Sequence, residues 1–198
     1  MDLEALQKNL EDRGFVYQYY PTAQAAADAL VGELHGKTIG IGGSMTMEAL
    51  NIYDRLSADN QVYWHWRAPG AETLEKAQNA QVYLSSVNGI AETGELINID
   101  GTGNRVSASM SAKERVYFIA GVNKIAEDYD KALWRARNVA SPRNARRIGT
   151  KTPCVLKELK CYDCKSPERI CRGLTVLWRK LNGVKECVVV IVGEELGY

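Results

Sequence analysis

KTIGIGGSMTMEAL, residues 37–50, is the stretch that decides the fold. Lys37 to Ile41 is a short apolar run, and Gly42 and Gly43 punctuate it. From Ser44 onward Met47, Leu50, Tyr53 and Leu56 recur at helical spacing, which predicts a helix over 44–56. A strand feeding a helix through a glycine turn is the repeating unit of α/β architectures. The turn also carries a chemistry. The first N–H groups of a helix lack intrahelical partners and its dipole is positive there, so Gly42, Gly43, Ser44 and Thr46 form a candidate binding turn for a small anion. The same residues equally suit a tight turn capped by Ser44. The string matches neither the Walker pattern nor the spaced dinucleotide fingerprint, so no nucleotide cofactor is indicated.

The pattern continues on both sides. Upstream, Leu3, Leu6 and Leu10 predict a helix stopping at Gly14, followed by an aromatic strand over 15–20 and an alanine-rich helix over 22–34. Downstream, strands over 61–66 and 81–86 flank a helix over 72–80, which implies crossover connections and parallel pairing. In ELINIDGTGNRVSASM, two alternating runs flank the turn residues 100–104 and predict a β-hairpin. An apolar strand over 115–121, a helix over 126–139 and strands over 174–179 and 187–192 complete the reading. The expected fold is a single α/β domain, 1–198, Rossmann-like, with a mostly parallel sheet and flanking helices. It has a β-hairpin insertion, and a cysteine-bearing loop segment, 144–172, within it.

The charge balance narrows the partners. In 198 residues, 25 Lys and Arg stand against 24 Asp and Glu, so the net charge of +1 gives no broad field for nucleic acid or a membrane surface. A small molecule is the expected partner, and a homo-oligomer stays open. No basic leader with an apolar run and no membrane-length apolar stretch occurs, which predicts a cytoplasmic protein. Four of the five cysteines fall within 154–171, which argues for reduced thiols or metal ligands over a secreted disulfide framework.

Further candidates lie where strands should end. Asn88 and Glu92 follow the strand over 81–86, and Glu92 is a candidate base or nucleophile. Lys124 follows the apolar strand and would reach the carboxyl edge of the sheet, near a bound anion. Asp100, Asn104 and Arg105 sit at the expected hairpin turn. Cys154, Cys161, Cys164 and Cys171 surround a central CxxC and would suit zinc or an iron–sulfur cluster, with a redox dithiol or plain thiols as alternatives. Ser166 and Pro167 predict about one helical turn between Cys164 and Cys171. Cys187 reads as a core residue, and the tryptophans as packing.

GIGGSMT (40–46), SVNGIAETGELINIDGTGNR (86–105), GVNKI (121–125), RARNVASPRNARRI (135–148) and GEELGY (193–198) together resemble the LUD (lactate-utilisation) domain family. The resemblance is nearest to short stand-alone members carrying a segment like TPC-x6-CYDC-x6-C. It implies a fold similar to the ribose-phosphate isomerase, glucosamine-phosphate deaminase and CoA-transferase group, where the first glycine-rich turn grips phosphate. An acidic residue near mid-chain often does the chemistry in that group, and Glu92 and Asp100 are the nearest counterparts. The resemblance also implies a small anionic metabolite, a role in organic-acid metabolism and other lactate-oxidation components as partners. Longer members resemble parts of an iron–sulfur system, but the repeated CxxCxxC pattern is missing here, so a cluster would have to use the four late cysteines.

Overall fold

The computed structural model describes residues 1–198. Ten strands and nine helices alternate along the chain. Strands are β1 (Val16–Tyr20), β2 (Thr38–Ile41), β3 (Gln61–Trp64), β4 (Val82–Ser85), β5 (Gly89–Ala91), β6 (Leu96–Asp100), β7 (Lys113–Gly121), β8 (Ile125–Ala126), β9 (Gly173–Leu177) and β10 (Val184–Val192). Helices are α1 (Leu3–Asp12), α2 (Ala23–Glu33), α3 (Met45–Leu50), α4 (Tyr53–Ser57), α5 (Ala71–Asn79), α6 (Asn104–Met110), α7 (Tyr129–Arg135), α8 (Ser141–Ile148) and α9 (Pro153–Leu156).

Six strands form one sheet in the order β3-β2-β4-β7-β10-β1, every pair parallel. Such a sheet must be covered on both faces, and the period of two along β7 and β10 shows how. Tyr117, Ile119, Val188, Val190 and Val192 pack on one side with Leu30 of α2 and Met47 and Leu50 of α3. Val116, Phe118, Val189 and Ile191 pack on the other with Leu6 and Leu10 of α1, Ala77 of α5 and Ala108 of α6. Cys187 is buried in this second cluster. A smaller sheet, β8-β5-β6-β9, carries α7 on a patch of Ala91, Ile97, Ala132 and Ala136.

Four expectations change. The segment over 95–110 is not a hairpin with strands on either side of residues 100–104. The antiparallel pair is β5 with β6, and 104–110 is helical. The reason lies at Asp100, whose Oδ1 accepts the N–H groups of Gly101 and Gly103 and folds the chain over, while Gly103 at φ 90° turns it into α6. The helix expected over 44–56 divides because Asn51 adopts a left-handed conformation and ends α3. The helix expected over 126–139 runs on to Ile148, with residues 136–140 wound as a π-helix that joins α7 to α8. Pro142 has no N–H to give, and the wider turn absorbs it. The Ser141 hydroxyl donates to the Ala136 carbonyl. Finally, Ser166 closes a β-turn through the Arg169 N–H instead of starting a helical turn.

Candidate anion-binding site

The strand order locates the site. From β2 the chain crosses to β3 on one side, then returns through α5 to β4 on the other, so the connections diverge between β2 and β4. In open parallel sheets, ligands bind at the carboxyl ends of strands where this divergence leaves a crevice. A cavity of about 510 Å³ lies there. Gly43 and Ser44 reach it from the end of β2, Trp66 from β3, Ser86 and Asn88 from β4, and Lys124 from β7.

The turn after β2 is shaped for close approach. A Cβ on Gly43 would stand 2.7 Å from Trp66 Nε1, and one on Gly42 would stand 2.8 Å from Ser85 Oγ. Both sites therefore need glycine. Ser44 caps α3, its Oγ accepting the N–H groups of Thr46 and Met47 at 3.2 and 3.4 Å. The N–H groups of Gly43, Ser44 and Met45 make no bond inside the protein. Gly43, Ser44 and Met45 line the cavity.

Lys124 is the central charge. Only 3% exposed, it donates from Nζ to Thr46 Oγ1 (2.9 Å), Ser86 Oγ (2.9 Å) and the Val87 carbonyl (3.1 Å). No carboxylate pairs with it. Burial drives its pKa well below the usual lysine range, and the nearby cations Arg135 and Arg105 push in the same direction. Arg105 is held by Asn98 Oδ1 and the Ile99 carbonyl, with its Nε 3.5 Å from Asp100 Oδ2. That Asp100 oxygen is buried with no hydrogen-bond partner, in a residue that lines the cavity.

Arg135 fixes the surrounding loops. It donates to the Asn88 carbonyl (2.6 Å) and the Asn123 carbonyl (2.7 Å), joining the segments that follow β4 and β7. Burial chiefly, and then Arg143, lowers its pKa to about 10. Through the π-helical turn, α8 presents Ser141, Asn144 and Arg147 to the cavity. Arg147 stacks over the Trp66 ring at 4.8 Å, and Trp66 in turn stacks on Trp64.

The structure thus brings together Gly43, Ser44, Asn88, Asp100, Arg105 and Lys124. Thr46 lies just beneath, bonded to Lys124, and Gly42 packs on Arg105 Cγ. Asn104 starts α6 outside the cavity. Glu92, expected beside the turn, sits instead between β5 and β6, where its Oε1 accepts the Asp2 N–H at 3.0 Å and lies 3.4 Å from the terminal amine. It anchors α1. Trp66 and Arg147 are additions. Trp66 follows β3 and was open to the same strand-end argument that picked Lys124, whereas Arg147 depends on a helix extension that the sequence conceals.

Cys154, Cys161, Cys164 and Cys171 line a separate cavity of about 20 Å³, and Cys171 also lines the larger one. As they stand, no three His, Cys, Asp or Glu side chains converge closely enough to hold a metal ion. No helix is long and apolar enough to cross a membrane.

A crystal structure of a DUF162 family protein from Deinococcus radiodurans is similar over 96% of each chain, with a TM-score of 0.56 at 15% identity, a likeness of fold. A search of curated proteins found no match. The LUD domain model matches residues 3–192, nearly the whole chain, and the protein belongs to the LUD domain family.

Proposed function

We propose that this LUD domain protein binds a small metabolite carrying a phosphate or carboxylate, in organic-acid metabolism, with the anionic group over the turn Gly42–Thr46. One observation carries the reading: Lys124 is a buried amine with no anionic partner at the floor of the cavity. Removing a charge from water costs several kcal/mol unless it is compensated, and three neutral oxygens compensate it only in part. An anion entering the cavity supplies the missing charge. It would also meet Arg105 and the unbonded N–H groups of the turn.

The wider surroundings support the same sign. Lys124, Arg105, Arg147, Arg169 and Arg172 line the cavity against two acidic side chains, Asp100 and Glu168. Its volume falls in the range of small-ligand sites. Asp100 Oδ2, 3.5 Å from Arg105 and without a hydrogen bond, would accept from a donor elsewhere on the ligand, so the site reads as cationic at one end and accepting at the other. If chemistry follows binding, Asp100 and Lys124, which both line the cavity, would move the proton.

Calorimetric titration with inorganic phosphate and with L-lactate tests this. Saturable binding of at least one, competitive with the other if both bind and weakened at least tenfold in Lys124→Met, is expected. Neither heat nor a thermal shift at millimolar concentrations of both overturns the reading.

A further inference from the structure

Residues 157–172 contain no helix or strand, and none of their side chains is buried. Ordered loops of that length without internal structure are uncommon, and the apolar core gives this one nothing to hold. Yet Glu168, Arg169, Ile170, Cys171 and Arg172 build one wall of the anion cavity. Something other than hydrophobic burial must fix that wall.

We infer that Cys154, Cys161, Cys164 and Cys171 form a four-thiolate site for a thiophilic metal, zinc or iron in a cluster, which fastens this wall. All four line one cavity of about 20 Å³, too small for a metabolite. The turn between the central pair has the form such a site needs. Asp163 takes φ 44°, which directs its N–H onto Cys161 Sγ at 3.4 Å. Arg137 reaches the same sulfur at 3.6 Å. Both are donors placed to hydrogen-bond a sulfur that ligates a metal.

Arg169 clamps the other half, donating to the Cys164 carbonyl and the Cys171 carbonyl, both at 2.8 Å. Four thiolates on a divalent ion leave a net charge of −2, and Arg137 and Arg169 line the same cavity to offset it. The sulfurs do not yet meet at one point. An ion would draw them in to about 2.3 Å, a closure open to half-buried side chains, three of them on irregular backbone and Cys154 in the four-residue helix α9.

The test uses the full chain purified without oxygen, with elemental analysis, acid-labile sulfide and a visible spectrum. Zinc at one equivalent, or iron with sulfide and visible absorption, is expected, and release should follow titration of the thiols with a mercurial. Cys161→Ser and Cys164→Ser should each lower retained metal at least fivefold, whereas Cys187→Ala should keep it. Should the serine variants not fold, cobalt(II) added to metal-free wild type should give the intense visible bands of a tetrahedral thiolate site, displaced by zinc. Removing the metal should speed tryptic cleavage within 157–172 at least tenfold.

Metal-free protein that binds neither cobalt nor zinc, metal retained by the serine variants, or a Cys161–Cys164 disulfide in fresh protein overturns the site. Unchanged cleavage overturns its fastening role. None of these readouts depends on anion binding.

Discussion

Lys124 Nζ lies 2.9 Å from Thr46 Oγ1, and the Thr46 hydroxyl donates onward to the Leu196 carbonyl at 3.2 Å. The end of β7, the first turn of α3 and the segment after β10 are thereby tied together by a charge that no carboxylate balances. Lys124→Met removes that charge and keeps most of the packing. Phosphate affinity should fall at least tenfold, about 1.4 kcal/mol, while the melting temperature holds or rises. In a chain of this size each kcal/mol regained is worth about 2–4 °C. Parallel calorimetry and thermal melts read both, and a large fall in melting temperature would show that Lys124 is structural.

The same lysine sets a pH dependence. Its pKa in the folded protein lies well below the unfolded value, so between the two the unfolded chain holds the extra proton and the Lys124 contribution to stability improves as pH rises. A bound anion reverses the shift. Above the lowered pKa, binding must take up a proton, and affinity should fall by up to tenfold per pH unit. Titrations in buffers of different ionisation enthalpy should detect uptake approaching one proton, absent in Lys124→Met.

Asp100→Asn keeps an oxygen to accept the Gly101 and Gly103 N–H groups but replaces the free acceptor at Oδ2 with a donor. With one negative charge fewer in the cavity, inorganic phosphate should bind several-fold tighter. Preference for a hydroxylated ligand over its deoxy counterpart, measured for L-lactate against propionate, should disappear. A variant that keeps the wild-type preference would show that Asp100 does not face the ligand.

Ser44→Asp separates capping from binding. Aspartate caps helices as well as serine, so α3 should persist and thermal stability should change by less than about 1 kcal/mol. Its charge would occupy the place where the turn attracts an anion, and phosphate binding should fall below detection. Wild-type affinity in this variant would move the ligand away from the turn.

Much of this was legible in advance because strand and helix periods alternate cleanly and the glycine turn marks a carboxyl edge. Lys124 was found by that rule alone. The sequence misled where two periods agree: Arg105 to Met110 alternates like a strand, and only the Asp100 turn decides that it winds as a helix. The helix expected over 126–139 does not end there, because a π-helical turn carries it past Pro142 to Arg147. Glu92 was chosen for nearness along the chain, and the β5–β6 hairpin carries it to α1 instead.

The sheet order has a consequence for synthesis. Val16 of β1 pairs with Val188 of β10, and β10 lies between β1 and β7. During translation β1 therefore waits, its backbone groups unpaired, until the ribosome has released the chain through Val192. The pairs among β2, β3, β4 and β7 need no later strand, whereas β1 docks only through β10 and until then is an exposed tyrosine-bearing strand.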